Sequence, residues 1–183
     1  MNVCINTDAS FSNRFKRGSY AFWIVSNLGK VQRSGMLRGH VESSLIAEMK
    51  SIYNAFHLLS KSAWMPQVKV IYINTDCMNA IHLFNNDKKR IKVFKLKGNK
   101  EAYDVANRFR TVKKVHFNHV KVKFRHVKAH THTDTPRHYT NDWCDKECKK
   151  HISKLYENNP NPPDNPLLCG PSFTVQVRSA LQA

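Results

Sequence analysis

Two apolar runs of this chain end on the same three residues. Val3-Cys4-Ile5 leads into Asn6-Thr7-Asp8, and Val68-Lys69-Val70-Ile71-Tyr72-Ile73 leads into Asn74-Thr75-Asp76. Both runs are short and rich in β-branched residues, which is the composition of a strand. Each therefore delivers an aspartate at its exit. If the two strands lie side by side and parallel, Asp8 and Asp76 emerge at the carboxyl edge of one sheet, where open sheets carry their functional crevices.

The chain between them supports that arrangement. After a basic turn, Ser12 to Gly18, the segment Ser19 to Val25 reads as a second strand, Asn27-Leu28-Gly29 as a hairpin turn, and Lys30 to Leu37 as a third strand. The opening is thus an antiparallel meander. From Glu42 to Ser60 the period changes from 2 to 3.6, with Leu45, Met49, Ile52, Phe56 and Leu59 on one stripe of a helix started by Ser43 or Ser44. Strand, helix, strand in succession implies a right-handed crossover between parallel strands. On that helix Glu48 projects from the edge of the apolar stripe, an odd place for an idle carboxylate.

Beyond Asp76 a short helix runs to Phe84, Asn99 to Lys114 forms another with Ala102, Val105, Ala106 and Phe109 inward, and Val120 to Val127 alternates as a strand with one basic face. A His- and Thr-rich loop, Ala129 to His138, precedes a last helix from about Tyr139 to Leu155. Its stripe is Cys144, Cys148, Ile152 and Leu155. With His151, the two cysteines have a spacing that could touch zinc, but the same spacing is the stripe itself. The breaker-rich stretch from Asn158 to Pro166 marks residues 158–183 as linker and tail, leaving 1–157 as one domain.

Charge narrows the partner. Thirty Lys and Arg against 13 Asp and Glu give a formal charge of +17, which points to a polyanion, with nucleic acid first. Fifteen of those cations fall between Lys88 and Lys128, against only Glu101 and Asp104. No apolar run approaches the roughly 18 residues of a membrane span and no signal-type block opens the chain, so a cytoplasmic, membrane-independent monomer is expected. Five cysteines, odd in number and scattered, read as reduced thiols.

Carboxylates converging on one edge repel unless cations sit between them, and hard oxygen ligands select Mg²⁺, with Mn²⁺ as a substitute. Two such ions about 4 Å apart would clamp a phosphodiester. Thr7-Asp8-Ala9-Ser10, the helix start from Ser43 to Lys50 with its Glu48, Asn74-Thr75-Asp76, Val127-Lys128-Ala129-His130 and Asn141-Asp142-Trp143-Cys144-Asp145 together resemble the ribonucleases H of type 1, in uninterrupted order over about residues 2 to 156.

The resemblance implies an α/β fold, a five-stranded mixed sheet flanked by helices, with an antiparallel three-strand meander and the fourth and fifth strands parallel to the first. It implies an endonuclease that hydrolyses the RNA strand of RNA/DNA hybrids with two Mg²⁺ ions. Asp8, Glu48, Asp76 and Asp145 would be the metal-binding carboxylates, His130 would assist proton transfer or product release, and Lys88, Lys89, Arg90, Lys92, Lys95 and Lys97 would match a hybrid-gripping basic protrusion. Ser10, Asn13, Arg14 and Ser44 would contact nucleic acid. The chain departs from the pattern in the loop after Asp8, at Ser44-Leu45, and at Met78, positions that in the family serve ribose recognition. For the fourth acid Asp142 competes with Asp145. A DNA-directed nuclease or resolvase of the same fold, or a non-catalytic nucleic-acid-binding module, stand as alternatives.

Overall fold

The computed structural model describes residues 1–93, 99–127 and 136–160. Strands β1 (Asn2–Ser12), β2 (Arg17–Ser26) and β3 (Gly29–Met36) form the antiparallel meander. Helix α1 (Ser44–Ser60) crosses to β4 (Val70–Thr75), followed by α2 (Met78–Phe84), α3 (Lys88–Val93), α4 (Lys100–His116), β5 (Lys121–His126) and α5 (Pro136–Asn158). The strand order is β3-β2-β1-β4-β5, with β4 parallel to β1 and β5 parallel to β4. This is the five-stranded mixed sheet the sequence implies.

Period-2 alternation divides the sheet into two faces. Val3 and Ile5 of β1, Phe22 and Ile24 of β2 and Ile71 and Ile73 of β4 join the core beneath α1 and α4. Its centre is aromatic: Phe109 of α4 lies 4.2 Å from Phe56 of α1 and 4.6 Å from Phe84 of α2, ring centre to ring centre. Ala21, on the opposite face, packs with Cys144, Cys148, Trp23 and Trp143, so the cysteines of α5 are core residues, as their stripe suggests. On that side α5 packs on β1, β2 and β3.

Local signals place the helix ends. Ser43 caps α1 by accepting from Ile46 N–H, and Asn99 caps α4 by accepting from Ala102 N–H at 2.9 Å. The hairpin between β2 and β3 turns on Gly29 at φ +141°, a conformation other residues rarely adopt. Helix α3 was not legible as an element inside the basic run, because six residues make too short a stripe; its signal is Asp87, whose carboxylate accepts from Arg90 N–H at 3.1 Å. No helix among the described residues is long and apolar enough to cross a membrane.

Candidate active site

Asp8 lies within β1, opposite Ala21 of β2, two residues beyond the Asn6 that pairs with Asn74. That register brings it level with Asp76, the residue just past β4. The pairing is reinforced by the Asn74 side-chain amide, which donates to Asn6 Oδ1 at 2.8 Å, both side chains being buried. Neighbouring helices hold the Asp8 backbone. Its carbonyl accepts from the Ser51 hydroxyl of α1 at 2.9 Å and from the Cys148 thiol of α5 at 3.2 Å.

Glu48 enters from the second turn of α1. The Ala9 N–H is shared between Asp8 Oδ1 at 2.9 Å and Glu48 Oε1 at 3.1 Å, which locks the two carboxylates together. Carboxylate oxygens of Asp8, Glu48 and Asp76 lie within 4.8 Å of one another. On the far side of the same cleft, of about 350 Å³, stand Asn141, Asp142 and Asp145 of α5.

The electrostatics are those of crowded, dry acids. Burial and then the Asp76 charge push the Asp8 carboxyl up from 3.8 to about 7, and Asp145 adds to the rise. Glu48 is raised well above the usual carboxylate range, first by burial and then by Asp8 and Asp76. Burial and crowding therefore favour a proton or a cation within this group. The Glu48 Oε2 atom is buried and has no hydrogen-bond partner among the described residues. An acceptor-only oxygen left dry and unpaired, within a set of hard oxygen donors, fits a divalent cation.

The sequence matches the RNase H family over residues 1–153. The chain belongs to this family. Among curated proteins no sequence matches it. Solved structures share the fold. RNase H1 from the halophilic archaeon Halobacterium salinarum NRC-1 is 12% identical, with 84% of this chain and 99% of that one covered at a TM-score of 0.58. The N-terminal RNase H domain of a Mycobacterium tuberculosis protein is 10% identical over 86% and 97%, at 0.60. An RNase H1 isolated from compost and solved in complex with an RNA/DNA hybrid is 11% identical over 84% and 98%, at 0.61. These identities speak for the fold, and the archaeal and compost neighbours are RNases H1.

Within this RNase H scaffold the expected acids do not stand alike. Asp8, Glu48 and Asp76 form the close group; Asp145 faces them across the cleft and is bound by Lys149, one turn on, at 2.7 Å. Asp142 also lines the cleft but is exposed. Ser10 lines it too, whereas Asn13 and Arg14 engage other groups: Asn13 accepts from Lys16, and Arg14 donates to the Pro160 carbonyl at 3.3 Å and lies over the rings of Phe15 and Tyr156. Ser44 is exposed at the start of α1, and Lys88, Lys89, Arg90 and Lys92 are exposed on α3. His130, Lys95 and Lys97 lie outside the described residues.

Sequence reasoning did not single out Asn141, Phe11, Ser51 or Lys149 for this site. Lys149 was within reach, since i, i+4 spacing from Asp145 on a helix predicts the pair. Ser51 was not, because its partner is a carbonyl of a strand 43 residues away.

Proposed function

We propose that this protein is a divalent-cation-dependent endonuclease that cuts the RNA strand of RNA/DNA hybrids, leaving 3′-hydroxyl and 5′-phosphate ends. The observation that carries the proposal is the close group of Asp8 within β1, Glu48 on α1 and Asp76 just past β4, faced by Asp145. Membership of the RNase H family and the solved complex of a fold relative with a hybrid support the substrate class.

Four carboxylates match the charge of two divalent cations, and Asp8, Glu48, Asp76 and Asp145 would hold them, Mg²⁺ by preference and Mn²⁺ as substitute. Such a pair supplies polarisation of the attacking water and charge neutralisation at the leaving 3′ oxygen. The chain contributes the rest. The Ser51 and Cys148 bonds to the Asp8 carbonyl fix the position of its carboxylate, so little reorganisation remains on binding. Ser10, in the cleft, and Ser44 offer hydroxyls to ribose or phosphate. Lys149 pairs with Asp145 and would give it up to a cation held there. His130, between β5 and α5 in the sequence, gives a proton to the leaving 3′ oxygen or assists product release. The α3 cations, with Lys95 and Lys97, hold phosphates away from the scissile bond.

A DNA substrate is the second reading, favoured by one observation: Asn13 Oδ1 accepts from Lys16 and Arg14 donates to the Pro160 carbonyl, which draws both side chains toward groups other than a ribose. One assay separates the readings. Labelled hybrid, duplex DNA and duplex RNA are incubated with the protein with and without Mg²⁺. Mg²⁺-dependent scission confined to the RNA of the hybrid is expected; scission of duplex DNA in its place establishes the second reading, and no scission of any substrate ends both. Asp76→Asn should lower the rate about 10²-fold or more while hybrid binding persists.

A further inference from the structure

The sheet divides the described cations of the basic segment between its two faces. Lys88 to Lys92 ride on α3 and Lys113 and Lys114 on α4, on the α1 side of the sheet. Phe124 of β5 also faces that side, 5.7 Å from Phe109. Alternation then sends Lys121, Lys123 and Arg125 to the opposite face. There α5 packs on β1, β2 and β3, and both lysines are exposed. Register pairs Val70 with Lys121, Tyr72 with Lys123 and Asn74 with Arg125, so Tyr72 and the three cations share this face.

The face is organised. The Arg125 guanidinium lies 3.6 Å from the centre of the Tyr72 ring and the Lys123 ammonium 5.6 Å from it. Stacking holds Arg125 flat and leaves its N–H groups at the edge, free to meet an anion. Side chains two apart on a strand are separated by about 6.6 Å, comparable with the step between phosphates along one nucleic-acid strand. The file leads to the carboxylates: Arg125 is level with Asn74, two residues before Asp76, and the next residue, His126, places Nε2 3.0 Å from the Asp76 carbonyl.

We infer that this face of β4 and β5 is a phosphate track, in which Lys121, Lys123 and Arg125 bind the backbone of a single-stranded nucleic-acid extension leaving the carboxylate cleft. The inference rests on the proposed function for the nature of the polymer. One file of cations suits one strand, since a duplex would present two files of phosphates. With its ring covered by Arg125, Tyr72 is not open for base stacking, so the track reads no sequence. Residues 161–183 of the chain carry Asp164 and Arg178 as their only charged side chains, which gives no complement to three cations.

The test measures binding in EDTA by fluorescence anisotropy, using a short blunt RNA/DNA hybrid and the same hybrid with a single-stranded RNA extension at either end. Wild type should prefer an extended form. The exposed double change Lys121→Gln/Lys123→Gln should abolish that preference, weaken the extended hybrid about tenfold, and lower its salt slope by about 1.4, as expected for two lost single-strand phosphate contacts. Blunt-hybrid affinity should be unchanged. Lys113→Gln/Lys114→Gln, with the same charge change on α4, should leave the extended-to-blunt ratio intact. Equal losses on both hybrids, no loss on either, or a ratio altered equally by the α4 pair overturns the track. If wild type binds no hybrid at all, the proposed function fails as well, which distinguishes the two failures.

Discussion

Asp8 carries the energetic conflict of the site: a carboxyl raised to about 7 by burial and by Asp76, beside a Glu48 also raised well above the usual carboxylate range. Its unfolded value is near 3.8, so between about 4 and 7 the folded protein keeps a proton that the unfolded chain releases. The contribution of this group to stability is fully present below the lower value and is lost as pH rises through the upper one. Asp8→Asn keeps an acceptor for the Ala9 N–H and removes the charge. Without metal, the variant should melt a few degrees above wild type at pH 8, with the advantage gone by about pH 4, as differential scanning fluorimetry in EDTA would record. Comparing the two proteins cancels His57 and His151, whose lowered values oppose the trend. Mn²⁺ should stabilise wild type more at pH 8 than at pH 5, because it replaces protons. A larger Mn²⁺ effect at pH 5, or a variant no more stable at pH 8, would remove Asp8 from the conflict.

Elements act as the levers that bring these groups together. Helix α1 delivers both Glu48 and Ser51, three residues apart on one face, so one helix supplies an acid to the cleft and a brace for Asp8. Helix α5 does likewise with Asp145 and Cys148. Helix α4 touches none of the carboxylates; it buttresses α1 through Phe109 and through the Lys50–Glu101 ion pair at 2.6 Å. Removal of its cap, Asn99→Ala, should therefore cost about 1 kcal/mol of stability and leave the rate of scission unchanged. Urea unfolding beside a cleavage assay checks this, and a selective fall in rate without loss of stability would tie α4 to the chemistry.

At the scale of the molecule, one core serves both the sheet and the site. Phe109 is fully buried among Phe56, Phe84 and Phe124, so Phe109→Ala should destabilise by about 3–5 kcal/mol, visible as a lowered urea midpoint. A loss below about 1 kcal/mol would mean the cluster collapses around the gap. Most of this organisation was legible in the residues. Two apolar runs leading into Asn-Thr-Asp, joined through a period-3.6 helix bearing Glu48, point to a parallel pair with three acids brought together, although β1 runs on to Ser12 and so carries Asp8 within the strand instead of at its exit. Periodicity tells a segment which of its own faces is apolar, but it cannot tell which distant segment covers that face. The sequence by itself therefore determined the sheet, the helices other than α3 and the Asp8, Glu48 and Asp76 group. Only the tertiary structure decided that burial raises the Glu48 carboxyl well above its usual range, that Arg14 lies against Tyr156, and that one run of cations is parted by the sheet, since each depends on contacts between residues far apart in the chain.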